Sequence, residues 1–406
     1  MKYENIKIEK LDYNGRGICH IDGKVTFVIG ALENEIVNIE IIENSKKYNV
    51  AKTTEIITSS PNRTIAKCKY YEICGGCDLL HQTKKENDNF KLNKVKKILG
   101  RSFKLDNIKQ IIDETDENYR NKIKLHVQNK KLGFFEKGSK NLVEIKYCNM
   151  VSKQINKCID YIKTNIDLRN IKCITIRSSL IGDLLVFVDF IEFDTTVIDL
   201  LTECSLITSL VCSNGKKTFF NKNEYFYEKV GDMIFGSSYD SFMQVNTNVT
   251  NKLYSVIKNY INDHEKVLDL FCGTGTIGLF VTNQTNKLVG IELNKDSVKN
   301  AKKNAVLNER EANFISMDIS RDFYKLPTDF DVVIIDPPRR GLTKKVISKI
   351  SEINPEKIIY VSCNPISLER DLKEFKDYKI EEVSVIDMFP NTHHVECVCL
   401  LTRMQG

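Results

Sequence analysis

From residue 236 onward the chain repeats one unit, a short apolar run followed by a polar loop and a longer amphipathic stretch, and few folds accommodate that rhythm. The runs are Lys266-Val-Leu-Asp-Leu-Phe-Cys272, Lys287-Leu-Val-Gly-Ile-Glu292, Ala312-Asn-Phe-Ile-Ser-Met-Asp318, Asp331-Val-Val-Ile-Ile-Asp336 and Ile358-Ile-Tyr-Val-Ser-Cys363. Two more, Lys379 to Asp387 and His394 to Thr402, follow with no helical stretch between them and so predict a terminal hairpin. Strands alternating with helices make a parallel sheet covered on both faces, and a closing hairpin turns its last strand antiparallel. The expected fold class is therefore α/β, a seven-stranded doubly wound sheet, which binds ligands at the carboxyl ends of its strands. Gly273-Thr-Gly-Thr-Ile-Gly278 sits at that edge, where glycines let a ligand approach the backbone. Glu292 ends the next strand and can accept ribose hydroxyls. By themselves these features suit a dinucleotide as well as any other adenosine-containing ligand.

Three further side chains fall on the same edge. Asp336-Pro-Pro ends the fourth strand, Cys363 ends the fifth, and Glu396 lies near the start of the antiparallel seventh. The chain breaks at Pro365 and enters a helix whose N-terminal dipole favours an anion, so Cys363 is expected to be held partly as thiolate. Outside such a setting a cysteine is a small buried hydrophobe and an isolated glutamate an ion-pair partner on a strand edge. Together, a thiol and a carboxylate in one crevice suit methyl transfer to carbon-5 of a pyrimidine, which is too poor a nucleophile to react unaided. Thiolate addition at carbon-6 activates the ring, and a base must afterwards remove the carbon-5 proton. The target base must be flipped out or already single-stranded. An amino-group methyltransferase would usually place an aromatic residue after Asp-Pro-Pro, where this chain has Arg339, and an NAD-dependent enzyme would leave Cys363 and Glu396 without work.

Ahead of this region the rhythm differs. Residues 1–58 alternate apolar and polar in short runs parted by Gly15, Gly17, Gly23 and Gly30, which predicts a small OB-like β-barrel. Residues 59–235 read as a central α+β domain and 236–406 as the sheet domain. Cys68-Lys-Tyr-Tyr-Glu-Ile-Cys-Gly-Gly-Cys77 has the density and spacing of a metal or cluster loop, with zinc and iron–sulfur equally allowed by residue type. A basic helix from His81 to about Leu99, stopped by Gly100, presents Lys91, Lys94, Lys96 and Lys97 either to water or to RNA. Tyr119-Arg-Asn-Lys122 and Lys216-Lys217 are weaker candidates for RNA contact.

Length and charge bound the rest. A chain of 406 residues with a net charge of +6 has room for two or three domains and permits nucleic-acid binding without requiring it. The most apolar run, Leu184 to Phe193, is interrupted by carboxylates, so no membrane partner is expected and the protein is expected to be cytoplasmic and monomeric. Thirteen cysteines without a secretory signal point to thiols, ligands or catalysis rather than disulfides.

Val361-Ser-Cys-Asn-Pro365, Asp336-Pro-Pro-Arg-Arg-Gly341, Asp387-Met-Phe-Pro-Asn-Thr-His-His-Val-Glu396 and Ser241-Phe-Met-Gln-Val-Asn246 together resemble the RNA uracil-5 methyltransferase family. Leu11-Asp-Tyr-Asn-Gly-Arg-Gly-Ile-Cys-His-Ile-Asp-Gly23 resembles the start of a TRAM-type RNA-binding barrel, and the resemblance thus covers nearly the whole chain. It implies Cys363 as nucleophile and Glu396 as base. It implies contacts to S-adenosylmethionine from Gln244, Phe271, Thr276, Glu292, Asp318 and Asp336, and a 4Fe-4S cluster on Cys68, Cys74, Cys77 and Cys148. Thr276 departs from the asparagine common in the family, and His393-His394 receives no role. Family members with both barrel and cluster typically act on 23S ribosomal RNA, whereas the transfer-RNA branch lacks them. A transfer-RNA enzyme and a non-catalytic RNA-binding protein on the same scaffold are the competing expectations. The other cysteines, Cys19, Cys158, Cys173, Cys204, Cys212, Cys272, Cys397 and Cys399, read as core.

Overall fold

Alternation in the first residues builds six strands: β1 (Lys2–Lys7), β2 (Lys10–Leu11), β3 (Gly17–Ile21), β4 (Lys24–Ile29), β5 (Ile36–Asn44) and β6 (Tyr48–Thr58). They form a barrel-like sheet in the order β1-β5-β6-β4-β3-β2. Ile8, Cys19, Ile21, Val28, Ala31, Val37, Ile39 and Ala51 turn inward as its core. Glu35 is fully buried yet satisfied, because it accepts from the backbone of Leu32 and Ser60 and forms a forked pair with Arg63. The computed structural model describes residues 1–111, 115–322 and 326–405. The chain divides into two units: Met1–Lys94 with Phe134–Ile145 and Phe389–His394 form one, and most of the remainder, including Lys146–Met388, the other.

Helix α1 (Lys84–Leu99) begins three residues later than the expected start at His81. Two of its lysines are neither a solvated face nor an RNA contact. Lys91 and Lys94 are buried, and their ammonium groups donate to the carbonyls of Phe389 and His393. Lys96 and Lys97 are exposed. A basic run can thus be spent on buried backbone carbonyls rather than on solvent or RNA.

After α1 come β7 (Ile108–Ile111), β8 (Lys122–Gln128), β9 (Lys131–Phe135), β10 (Leu142–Glu144), α2 (Lys153–Asn165), β11 (Ile171–Ser178), β12 (Leu184–Phe190), α3 (Thr195–Glu203), β13 (Ser209–Ser213) and β14 (Thr218–Lys222). Within the second unit a mixed sheet runs β9-β8-β11-β12-β13-β14, parallel only between β12 and β13, where α3 makes the crossover. Ile174, Ile176, Val186, Val188 and Leu210 are buried on one face, beneath α2 and α3. Then follow the hairpin β15 (Phe226–Val230) and β16 (Met233–Ser237), and α4 (Thr247–Lys258).

The last region supplies β17 (Lys266–Leu270), α5 (Thr276–Val281), β18 (Lys287–Glu292), α6 (Lys295–Leu307), β19 (Ala312–Ser316), α7 (Ile319–Asp322), β20 (Val332–Ile335), α8 (Lys344–Ile353), β21 (Lys357–Ser362), α9 (Pro365–Leu372), β22 (Tyr378–Ile386) and β23 (Glu396–Arg403). The sheet order is β19-β18-β17-β20-β21-β23-β22-β7, with β23 antiparallel to both neighbours. The seven expected strands are therefore present with their reversal. An eighth was not expected: β7 pairs parallel with β22, Val383 opposite Ile108. The order of strands reverses between β17 and β20, and the crevice opens there.

Candidate active site

Register decides how Cys363 and Glu396 meet. Ser362, the last residue of β21, pairs with Cys397 of β23, so the next position outward on each antiparallel strand is Cys363 and Glu396. Asn364 follows as the cap of α9, its side chain accepting from the Ile366 amide, and Pro365 takes the first helical position. The thiol is half-buried at the strand's mouth, and Glu396 is buried.

Electrostatics there differs from the expected thiolate. Burial pushes the Cys363 thiol up to about 11; the carboxyls of Glu396 and Asp336 push the same way, while the Arg339 guanidinium, hydrogen-bonded to the sulfur, opposes them. The thiol is therefore neutral near pH 7, and the dipole of the short helix α9 does not outweigh desolvation by the surrounding protein. Burial, and then Asp336, also raise Glu396 well above the usual carboxylate range, against Arg339. Burial raises Asp336 to about 7. Three acids thus share one desolvated corner with one guanidinium. Arg339 was noted in the sequence only as the residue that replaces an aromatic, and nothing in the pattern placed it on the sulfur.

The glycine loop is built for close approach. Phe271 and Gly273 both adopt positive φ, 63° and 53°, and a Cβ added at Gly273 would meet nothing within 4 Å. Gly275 and Gly278 serve packing instead: a Cβ there would come within 2.7 Å of Phe314 and 2.8 Å of Asp269 respectively. Glu292 is held at the end of β18 by the amides of Gly273 (3.2 Å) and Asn294 (2.8 Å). Asp318 caps α7 by accepting from Ser320, and Thr276 opens α5 with its hydroxyl 2.9 Å from that of Tyr254. Beneath the loop Asp269 is fully buried, accepts from the Gly278 amide at 3.0 Å, and is pushed by burial up to about 8. Its other oxygen and the Thr274 hydroxyl are buried without a protein partner, which suits a loop that receives a polar ligand. Sequence reading missed Asp269, because an acid inside an apolar strand has no pattern of its own.

Gln244 follows β16 in an irregular segment pinned from outside. Asn121 donates its side-chain amide to the carbonyl of Gln244 (3.2 Å) and its backbone amide to that of Val245 (2.8 Å). The Asn121 amide also reaches Thr247, whose hydroxyl donates to buried Glu228 at 2.8 Å. Asn121, in the stretch read as an RNA contact, is buried and structural instead.

Cys68, Cys74 and Cys77 are half-buried in a turn closed by amide bonds from Tyr71 to Cys68 (3.1 Å) and from Cys74 to Tyr70 (2.7 Å). Cys148 is half-buried, with its backbone amide and carbonyl both bonded to the Asn156 side chain at 2.9 Å. Among the described residues no three His, Cys, Asp or Glu side chains are drawn together tightly enough for a metal ion, and no disulfide forms. The eight cysteines read as core are all buried. His393, to which no role was given, sits 2.6 Å from the Asp78 carboxylate. No described helix is long and apolar enough to cross a membrane.

The arrangement has known relatives. A protein of Clostridium tetani described as an uncharacterized RNA methyltransferase is 33% identical over 98% of this chain and 96% of its own length. One of Clostridium acetobutylicum with the same description is 34% identical, again over 98% and 96%. Among solved structures, the Pyrococcus abyssi tRNA (uracil-54, C5)-methyltransferase in complex with S-adenosyl-L-homocysteine superposes with a TM-score of 0.83 at 26% identity, covering 98% of this chain and 99% of that one. The TRAM domain model matches residues 2–52, and that of tRNA (Uracil-5-)-methyltransferase matches residues 83–404. With an α/β sheet domain behind a barrel-like TRAM domain, this chain belongs to the tRNA (uracil-5-)-methyltransferase family, enzymes that use S-adenosylmethionine to methylate RNA.

Proposed function

We propose that this protein methylates carbon-5 of a uridine in 23S ribosomal RNA through a covalent bond between Cys363 and carbon-6 of the base. The observation that carries the reading is the placement of Cys363 and Glu396 one step beyond the Ser362–Cys397 pair of adjacent strands, with Arg339 at the sulfur. S-adenosylmethionine supplies an electrophilic methyl group when bound. Cys363 passes its proton to solvent, the Arg339 guanidinium favouring the sulfur anion, and the sulfur attacks carbon-6, so that the ring's electron pair moves onto the carbonyl oxygen as an enolate. Carbon-5 then takes the methyl, and the cofactor leaves as S-adenosylhomocysteine. Glu396, as carboxylate, removes the carbon-5 proton; the ring double bond re-forms and the thiolate departs. The desolvation that makes Glu396 hard to ionise also makes its carboxylate a strong base. Gln244, Phe271, Thr276, Glu292, Asp318 and Asp336 take the cofactor contacts.

We assign RNA gripping to residues 1–58, a 4Fe-4S cluster on Cys68, Cys74, Cys77 and Cys148 to a central domain over 59–235, and the chemistry to 236–406. Thiols suit iron, and a four-iron cube spreads its ligands wider than a single ion does. A second reading, a transfer-RNA target, is favoured by the Pyrococcus abyssi relative, which covers this chain from end to end and acts on tRNA by its description. Mapping 5-methyluridine in ribosomal and transfer RNA from cells with and without the protein separates the two.

The mechanism is tested in a denaturing gel with RNA and labelled S-adenosylmethionine. Cys363→Ala forms no covalent species, whereas Glu396→Gln accumulates a slow, methyl-labelled band and turns over on the order of a hundredfold or more slower. A labelled band in the variant without the thiol overturns the mechanism, and parental turnover without the glutamate removes it as the base.

A further inference from the structure

The central sheet has a second face, and its register shows what that face carries. Lys124 of β8 pairs with Thr175 of β11, Thr175 with Phe187 of β12, Phe187 with Val211 of β13, and Val211 with Phe220 of β14. Paired residues project to the same side, so this rung runs from an exposed lysine on β8 to an exposed phenylalanine on the edge strand β14. One rung over, Lys122 pairs with Arg177. The opposite side of these strands is the apolar one covered by α2 and α3; on this side Arg177 and Val211 are buried, whereas Lys124 and Phe220 are exposed.

Aromatic rings are arranged here in an order that core packing does not need. Tyr239 lies flat against Phe187, ring centroids 5.2 Å apart and planes within 10°, and Phe220 meets Tyr239 edge-on at 5.8 Å. Phe220 nevertheless keeps 53% of its surface in water on an edge strand whose residues are all exposed. Exposed rings gathered on one strand edge with a stacked neighbour mark an interaction surface more often than a core. Exposed lysines lie on the same rung and in the adjoining turn: Lys124 on β8, four strands from Phe220, and Lys216 and Lys217 in the turn leading to it. Asp189 on this face lies beside Lys172 at 3.4 Å, and exposed Asp240 accepts from Ser238 and acts on the charge of Lys122. Four residues beyond Asp240 the same segment reaches Gln244, a candidate contact at the active crevice.

We propose that this face is a binding platform for single-stranded RNA, on which a base stacks on the exposed ring of Phe220 beside Tyr239 while Lys124, Lys216 and Lys217 meet the phosphates. The proposal rests on the chain being an RNA methyltransferase and adds where the strand leading to the target uridine is held. Stacking on aromatic side chains accepts any base, and lysines read only the backbone, so the platform sets affinity and leaves the choice of uridine to the crevice.

The test uses the full-length protein and a single-stranded uridine-rich oligonucleotide, with a duplex of the same length as control. Phe220→Ala should weaken binding of the single strand about tenfold or more, with Phe220→Tyr near parental, and Lys124→Gln with Lys216→Gln should weaken binding and flatten its salt dependence. Affinity for S-adenosylmethionine should not change in any of them. In turnover the Phe220→Ala effect should fall on KM for RNA and leave kcat within about twofold. Unchanged affinity in both sets of variants overturns the platform, as does a parental dimer that Phe220→Ala dissociates, which would make the face a contact between copies. If the parental protein binds RNA through this face but forms no 5-methyluridine, the proposed reaction fails while the platform stands.

Discussion

Cys363 carries a proton that the pattern around it did not suggest. The spacing of Ser-Cys-Asn-Pro put the thiol at a strand end, and that placement was legible because a broken strand and a helix cap each leave a mark in sequence. Its charge was not legible, since it depends on Glu396 and Asp336, brought beside it from distant positions, and on how much water they exclude. With its pKa pushed up to about 11, the thiol of the ligand-free protein should be sluggish toward iodoacetamide at pH 7 and gain reactivity roughly tenfold per pH unit up to that value. Replacing Arg339 by glutamine removes the one cation opposing the shift, so alkylation of Cys363 at pH 9 should slow further. Peptide mass mapping of the alkylated protein measures both. Faster alkylation in the Arg339→Gln variant would mean that the guanidinium shields the sulfur rather than acidifies it.

The glycine loop and the strand beneath it act as one device. Asp269 of β17 holds the Gly278 amide at the start of α5 and is neutral in the folded protein up to about pH 8, whereas in the unfolded chain it ionises near pH 4. Its folded pKa is raised, so the folded state binds the extra proton. Stability from this group is fully present below about pH 4 and is lost as the pH climbs toward 8. Asp269→Asn keeps a carbonyl for the Gly278 amide and removes the titration, so its melting temperature should fall less between pH 5 and pH 8 than that of the parental protein. Calorimetry at the two values decides; equal slopes would show that the carboxyl is ionised in the fold. The seven strands of this sheet could be foreseen because each has an apolar run and a loop at a regular interval. Strand β7 could not: Ile108-Lys-Gln-Ile111 is too short to stand out, and its partner at Val383 lies far along the chain. The buried lysines of α1 escaped for a related reason, since the carbonyls they reach, those of Phe389 and His393, lie 298 and 299 residues further along the chain.

Taken as one molecule, the chain spends the twelve cysteines other than Cys363 in two ways. Eight are core, and four, spread from Cys68 to Cys148, are reserved for the proposed cluster, so removal of iron should cost the fold as well as the ligand. Protein purified without oxygen should be brown with about four irons per chain, and chelation should lower its melting temperature. Stoichiometric zinc without iron would replace the cluster with a four-thiolate ion site. The order of the sheet also has a consequence for how the enzyme comes into being. Strand β23 is later in the chain than β22 yet lies between β21 and β22, so the gap in the sheet stays open until residues 396–403 leave the ribosome. Glu396 arrives in that last insertion, opposite a thiol already in place. On the proposed mechanism, a nascent chain therefore carries its candidate cofactor loop and nucleophile while lacking the group that would free a methylated base. It would become able to release product only when synthesis has supplied the strand that completes its interior.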